Sequence, residues 1–235
     1  MAENYYVQNL HGLRLHEVYQ TRHPQVKSYL NQEIAFVQNR LEGSETVLEL
    51  GAGYGRIMKE LAPYCRTILG IDISVDNIAF SEDYLQEAPN AKIILMDANL
   101  LKTDLFQMQF DTVLCLQNAL SAMKAVPHAL VKQIMELLPP GGRVFISTYS
   151  ESFWSHRLAW FQEQAEKGLL GELDLAQCKE GVIVGKDGFR SYSHSAAELE
   201  DIGTGSGYPY EILEVAASAL FLIITKVPQD ARNTF

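Results

Sequence analysis

Alternation is the feature that most constrains this chain. Short runs rich in Val, Ile and Leu occupy 46–50, 67–73, 91–97, 110–116 and 143–148. Segments with apolar residues at helical spacing separate them, at 56–64, 74–88 and 127–138. Each helical segment closes on a breaker: Pro63, Pro89, or Pro139-Pro140-Gly141-Gly142. Strands that are apolar on both faces and joined through helices bury themselves in a parallel sheet covered on both sides. The expected fold is therefore α/β and doubly wound. A further helix over 25–42 sets Val26, Leu30, Ile34, Val37 and Leu41 on one stripe, ready to pack on the sheet. At the other end, 210–216 and 219–226 are strand-like runs joined around Ala217-Ser218, a hairpin signature. Added to the five earlier strands, they predict a mostly parallel seven-stranded sheet with an antiparallel last strand and helices on both faces.

Two stretches do not follow the alternation. Residues 1–24 are polar with scattered aromatics, and 151–194 read as a small α+β insertion after the fifth strand. Within the insertion, 152–168 has helical spacing, and 171–194 reads as two or three short strands turning at Gly181, Gly185 and Gly188. The whole chain, 1–235, reads as one domain. The Trp and Phe content of the insertion argues against disorder, and loops this long in compact domains are usually functional. The expectation is that 1–24 forms a lid and 151–194 a substrate cap.

Charge narrows the partners. The formal net charge is −10 and Lys and Arg are scattered, so the chain offers no basic face for a nucleic-acid backbone. Cys65, Cys115 and Cys178 lie far apart, giving neither a disulfide framework nor a metal-ligand spacing. No metal is expected. The N-terminus lacks an apolar signal core, and the longest apolar stretch is too short to span a bilayer. These features predict a cytoplasmic protein with no membrane partner, as a monomer or homodimer.

The candidate chemistry sits at the strand ends, where doubly wound sheets bind ligands. The first strand runs into Glu49-Leu50-Gly51-Ala52-Gly53-Tyr54-Gly55, the second ends at Asp72, the third at Asp97, and the fourth at Leu116-Gln117-Asn118. Glycines permit positive φ and close approach of a ligand to the backbone. One acid at a strand end is readily explained as a helix cap; three aimed at one crevice are not, because unpartnered buried carboxylates are costly.

The order E-L-G-A-G-Y-G, G-I-D-I-S, M-D-A-N and L-P-P-G-G resembles the class I S-adenosylmethionine-dependent methyltransferases over roughly 25–150 and 195–227. The resemblance implies S-adenosylmethionine as cofactor. Gly51, Ala52, Gly53 and Gly55 would lie under its methionine portion, and Glu49 would fix that loop and the ammonium. Asp72 would hold the ribose, Ile73 would pack on the adenine, and Asp97 and Ala98 would meet the adenine edge. Leu116 and Gln117 would line the sulfonium end. The expected reaction is in-line methyl transfer to a small-molecule N or O nucleophile. The alternatives are protein methylation, a binding protein without catalysis, and, more remotely, a nicotinamide-dependent dehydrogenase. Against the last, Arg56 stands where the third glycine of a dinucleotide fingerprint belongs.

Catalytic residues are harder to place, because the sulfonium already activates the methyl group. Asn118 lies in a C-x-x-N stretch similar to that of the glycine N-methyltransferase group, and equally suits a turn or helix cap. His16, His156 and His194 fall in the variable segments as candidate bases. Tyr5, Tyr19, Asn118, His156 and Tyr192 are the candidate substrate walls, with Arg157 and Arg190 as candidate carboxylate receptors.

Overall fold

The computed structural model describes residues 5–179 and 181–228. Three helices precede the sheet: α1 (Tyr5–Asn9), α2 (Gly12–Tyr19) and α3 (Pro24–Gln38). Strands and helices then alternate through β1 (Thr46–Leu50), α4 (Arg56–Leu61), β2 (Thr67–Asp72), α5 (Val75–Tyr84), β3 (Ala91–Leu95), β4 (Thr112–Cys115), the single turn α6 (Ala119–Ala122), α7 (Pro127–Leu137) and β5 (Arg143–Tyr149). Beyond them come α8 (Trp154–Glu166), the hairpin strands β6 (Val182–Val184) and β7 (Arg190–Tyr192), α9 (Ala196–Ser206), β8 (Tyr210–Val215) and β9 (Ala219–Thr225).

The main sheet has seven strands in the order β3-β2-β1-β4-β5-β9-β8. Strands β1 to β5 pair in parallel, with Val47 between Ile68 and Thr112. Strand β9 is antiparallel to both of its neighbours, pairing Phe145 with Ile223 and Ile212 with Leu222. One strand thus runs against six. The sequence reading of the sheet holds, and only β9, inserted between β5 and β8, departs from parallel. Ala216 and Ala217 join β8 to β9 with φ of +51° and +47°, the hand of turn that matches strand twist.

Alternating strand residues feed two cores. Val47, Ile68, Phe145 and Phe221 pack with α3 and α4 through Val26, Val37, Met58 and Leu61. Leu48, Leu50, Val113 and Ile146 pack on the other face with Leu130 and Ile134 of α7 and Leu199 and Ile202 of α9. Helix α9 was not anticipated from the sequence. Its Ala-Gly-Ser-rich span carries few apolar positions. Its start was legible, because Ser195 and Glu198 form a reciprocal capping box.

Segment 151–194 forms α8 and the β6–β7 hairpin, as the spacing predicted. The described part of the N-terminal stretch, from residue 5, is mostly helical, and its Tyr6, Leu10, Leu15, Val18 and Tyr19 line the crevice at the strand ends. Among the described residues no helix is long and apolar enough to cross a membrane, and no group of His, Cys, Asp and Glu is arranged to hold a metal.

Candidate active site

The loop after β1 turns through three left-handed glycines, Gly51 (φ +67°), Gly53 (φ +57°) and Gly55 (φ +91°). A side chain at Gly53 would also crowd α2. A Cβ there would stand 3.0 Å from Leu15 Cδ2 of α2. Gly55 serves packing instead. Its missing Cβ makes room for Leu85 and Ile93, so it seats α4 against the sheet and is not on the crevice wall.

The crevice opens at the carboxyl ends of β1, β2, β3 and β4. Its lining includes Glu49, Gly51, Ala52, Gly53, Asp72, Ile73, Asp97, Ala98, Leu116, Gln117 and Asn118. Apart from Gly55, every residue expected to hold the cofactor is brought to one cavity.

Asp72 closes β2 and is held firmly. Oδ2 accepts from Gly53 N at 2.9 Å, and Oδ1 accepts from Ser74 N at 2.9 Å and from Asn77 Nδ2 at 3.1 Å. These bonds oppose the effect of burial, which raises its pKa. Asp97 Oδ1 caps the following turn, accepting from Asn99 N at 2.8 Å and Asn99 Nδ2 at 3.0 Å. Ile73 keeps 39% of its surface exposed, an apolar face open to the crevice.

Glu49 is 3% exposed. Burial pushes its carboxyl pKa up to about 8, against the opposing pull of the Arg56 guanidinium. Glu49 Oε2 and Arg56 Nη2 are buried without a hydrogen-bond partner among the described residues. Buried polar groups are nearly always satisfied, so an orphan carboxyl oxygen and an orphan guanidinium nitrogen on one cavity wall fit a ligand carrying both charges. Arg56 stacks over the Tyr19 ring at 4.6 Å.

At the end of β4 the backbone is strained. Gln117 and Asn118 both have positive φ, +53° and +61°, a conformation that costs non-glycine residues energy. The surroundings hold the turn in place. Gln117 N donates to Glu33 Oε1 at 3.0 Å and to Ser147 Oγ at 2.8 Å, and Ser147 Oγ donates to Glu33 Oε1 at 2.5 Å. Glu33, fully buried on α3, was not singled out in the sequence; it sits far from the motif, on a helix read only as packing. Asn118 uses its whole carboxamide. Nδ2 donates to Tyr192 O at 2.7 Å and Oδ1 accepts from Thr148 Oγ1 at 2.8 Å. It therefore ties the β6–β7 hairpin to β5 while lining the crevice.

The far wall comes from the two variable segments and β5. Tyr6, Leu10, Leu15, Val18, Tyr19, Tyr149, Trp160, Phe161, Gln164 and Ser191 line it. Burial raises the phenol pKa of Tyr6 and Tyr149, and that of Tyr19 to about 12, so these hydroxyls stay protonated and are not bases at neutral pH. Trp160 Nε1 is bonded to Val18 O at 3.0 Å.

Of the expected substrate walls, Tyr19 and Asn118 lie on the crevice. Tyr5, Tyr192 and His156 are not among its lining residues. Tyr5 donates to Asp187 Oδ2 at 2.6 Å and packs on Phe189, joining α1 to the loop between β6 and β7. Tyr192 contributes its carbonyl to Asn118. His156 is exposed beside Phe153. His194 is buried against Tyr192, and burial lowers its pKa. His16 packs on Tyr54, Phe80 and Tyr84 in a neighbouring groove. None of the three candidate histidines lines the crevice. Arg157 is 1% exposed and bonds Gly181 O and Ser191 Oγ, so it braces the hairpin from behind the wall.

Known proteins resemble this chain in part of its sequence and in fold. The family profile described as "Methyltransferase domain" matches residues 47–142, from β1 to the turn before β5. Over this stretch the chain carries a methyltransferase domain. A "Ubiquinone biosynthesis O-methyltransferase" of Coxiella burnetii is 28% identical over 126 residues, covering 53% of this chain and 50% of that protein. A "Probable ribosomal RNA small subunit methyltransferase A" of Methanococcus aeolicus is 39% identical over 70 residues, 30% of this chain and 25% of the relative. The chain thus spans about half the length or less of these curated relatives. The solved magnesium protoporphyrin IX methyltransferase of Synechocystis PCC 6803, which has S-adenosylhomocysteine bound, superposes with a TM-score of 0.62 at 17% identity, covering 94% of this chain and 96% of that one. That likeness bears on the fold.

Proposed function

We propose that this protein transfers a methyl group from S-adenosylmethionine to a small-molecule oxygen or nitrogen nucleophile. One observation carries the reading: the orphan Glu49 carboxyl and Arg56 guanidinium stand on the same wall as the glycine loop and the two further strand-end acids. In this reading Glu49 takes the ammonium of the methionine portion and Arg56 its carboxylate. Asp72 already accepts three bonds and, with about four acceptor sites on a carboxylate, keeps one for a ribose hydroxyl. Ile73 packs on the adenine, and Asp97 and Ala98 meet its edge.

The bound cofactor supplies an electrophilic methyl on a sulfonium. The chain's own residues hold the acceptor in line and exclude water. Leu116, Gln117 and Asn118 form the floor at the transfer end, with their strained backbone fixed by Glu33 and Ser147. The described residues of 1–24 and 151–194 supply the lid and cap: Tyr19, Trp160 and Phe161 face the crevice, and Tyr149 of β5 completes the aromatic wall. Because the wall phenols stay protonated and the candidate histidines stand elsewhere, the acceptor brings its own nucleophilic lone pair, as a neutral amine or an acidic hydroxyl would. The O-methyltransferase name carried by the Coxiella relative favours the hydroxyl. A chain of net charge −10 favours a small acceptor over a nucleic acid.

Titration calorimetry with S-adenosylhomocysteine and with NAD tests the cofactor. The first should bind and raise the melting temperature by linkage, and the second should not. NAD binding without a response to S-adenosylhomocysteine would replace this reading with a dehydrogenase.

A further inference from the structure

The side chain that steadies the ribose acid is also the point where the N-terminal helices dock. Asn77, on α5, is 5% exposed. Its Nδ2 donates to Asp72 Oδ1 at 3.1 Å, while its Oδ1 accepts from the backbone N–H of Gly12, the first residue of α2, at 2.7 Å. Asp72 in turn accepts from Gly53 N of the glycine loop. The chain of bonds therefore runs from the lid, through one carboxamide, to the acid and the loop.

Three further contacts place α2 as a cover over this region. Leu15 fills the space above Gly53, where a Cβ would be 3.0 Å away. His11 Nδ1 pairs with Asp76 Oδ2 at 3.1 Å, one residue before Asn77. Gly12 has φ +52°, and a Cβ there would meet Asp76 O at 3.6 Å, so the chain enters α2 in a conformation suited to glycine.

A carboxamide has one acceptor end and one donor end. With Gly12 bound to the oxygen, the nitrogen is committed to Asp72. When α2 lifts, the oxygen loses its donor and the carboxamide is held by Asp72 alone. Conversely, a ribose bonded to Asp72 restricts the acid and the carboxamide bonded to it, so docking Gly12 on Oδ1 costs less ordering entropy. We propose that Asn77 is a positioning residue that couples closure of α2 to cofactor occupancy at Asp72. The inference rests on the cofactor reading above. Ligand affinity and lid closure then share one free energy, and the coupling is reciprocal.

A double-variant cycle on the full chain tests it, with S-adenosylhomocysteine as probe. Asn77→Leu keeps the volume and removes both bonds. Gly12→Pro removes the N–H and forbids the positive φ. Each should weaken binding by about tenfold, within the roughly 5- to 150-fold range of such couplings, and the double variant should lose no more than the weaker-binding single. Hydrogen exchange in 12–19 should slow on ligand addition in the unaltered chain and be indifferent to ligand in Asn77→Leu. Losses that multiply to about 100-fold, the mark of independent sites, overturn the coupling. If Asn77→Leu does not fold, Asn77→Asp serves. It keeps an acceptor for Gly12 but loses the donor to Asp72, so exchange in the ligand-free lid should match the unaltered chain and no longer respond to ligand. A response equal to that of the unaltered chain overturns the proposal. Failure of the unaltered chain to bind the probe overturns the cofactor reading and this inference with it; normal binding with multiplicative losses overturns the inference alone.

Discussion

Along one side of the crevice, Glu49, Asp72 and Asp97 each stand at the end of a strand, and the residues that fix them are near in sequence: Ser74 and Asn77 for Asp72, Asn99 for Asp97. Along the other side, Tyr6, Tyr149, Trp160 and Ser191 come from four separate elements. They meet only because long-range bonds hold them, such as Trp160 to Val18 and Asn118 to Tyr192. The first side is a local design repeated at successive strands and reads as a motif. The second is an assembly whose parts have no fixed spacing. A common cofactor with variable acceptors suits this division, since the motif side can stay while the assembled side changes.

The sharpest way to break the comparison is to remove an anchor from the motif side. Asp72→Ala should weaken S-adenosylhomocysteine binding by about 2–4 kcal/mol, from hydrogen bonds to a charged group that contribute roughly 1.5–3 each before non-additivity. Calorimetry reads the loss, and the far-ultraviolet spectrum should show the sheet intact. Unchanged affinity would mean that the strand-end acids do not form the ribose site.

The matching change on the assembled side is Asn118→Ala. It leaves Tyr192 O without its donor and Thr148 Oγ1 without its acceptor. Stability should fall by about 1–3 kcal/mol, the cost of unsatisfied buried partners, and exchange should rise in 182–192. A local effect confined to β4 would show that the hairpin does not depend on this tie.

Glu49 sharpens the comparison through pH. Its folded pKa, about 8, lies above the ordinary carboxylate value because burial disfavours the charge. Between the two values the folded state holds a proton that the unfolded state has lost. Stability of the ligand-free protein should therefore decline as pH rises through that window, by at most about 1.4 kcal/mol per pH unit for one proton. Glu49→Gln should flatten the decline in thermal-melt curves. If Glu49 takes the cofactor ammonium, binding near neutral pH should also release a proton, seen as a dependence of calorimetric heat on buffer ionisation enthalpy. A Glu49→Gln variant with the same slope and the same release would remove Glu49 from the site.

The smallest expected change lies away from both walls. Ser195→Ala removes the capping box of α9 and should cost about 1 kcal/mol, without moving S-adenosylhomocysteine affinity. A loss of affinity would show that α9 reaches the crevice through the cap.

The sheet and the strand-end wall of the crevice were determined by the sequence itself. Apolar runs of strand length, helices of 3.6 period between them and glycines at the first turn leave one economical arrangement, and parallel strands bring their carboxyl ends to one edge. Glu49, Asp72 and Asp97 were found because each is tied to its strand end by covalent spacing. The opposite wall was decided by tertiary structure. Sequence chose Tyr5, Tyr192 and His156 over Tyr6, Tyr149 and Gln164 because an aromatic or basic residue in a variable segment has no period that says which way it faces. Tyr5 and Tyr6 are neighbours, yet only Tyr6 reaches the crevice. Glu33, Asn77 and Arg56 escaped for a related reason: each acts through partners on other elements, and a bond such as Gln117 N to Glu33, between residues 84 apart, leaves no local pattern. Periodicity and backbone conformation are short-range and written in the chain. Which side chains meet across a crevice is set by packing of whole elements, and exists only after folding.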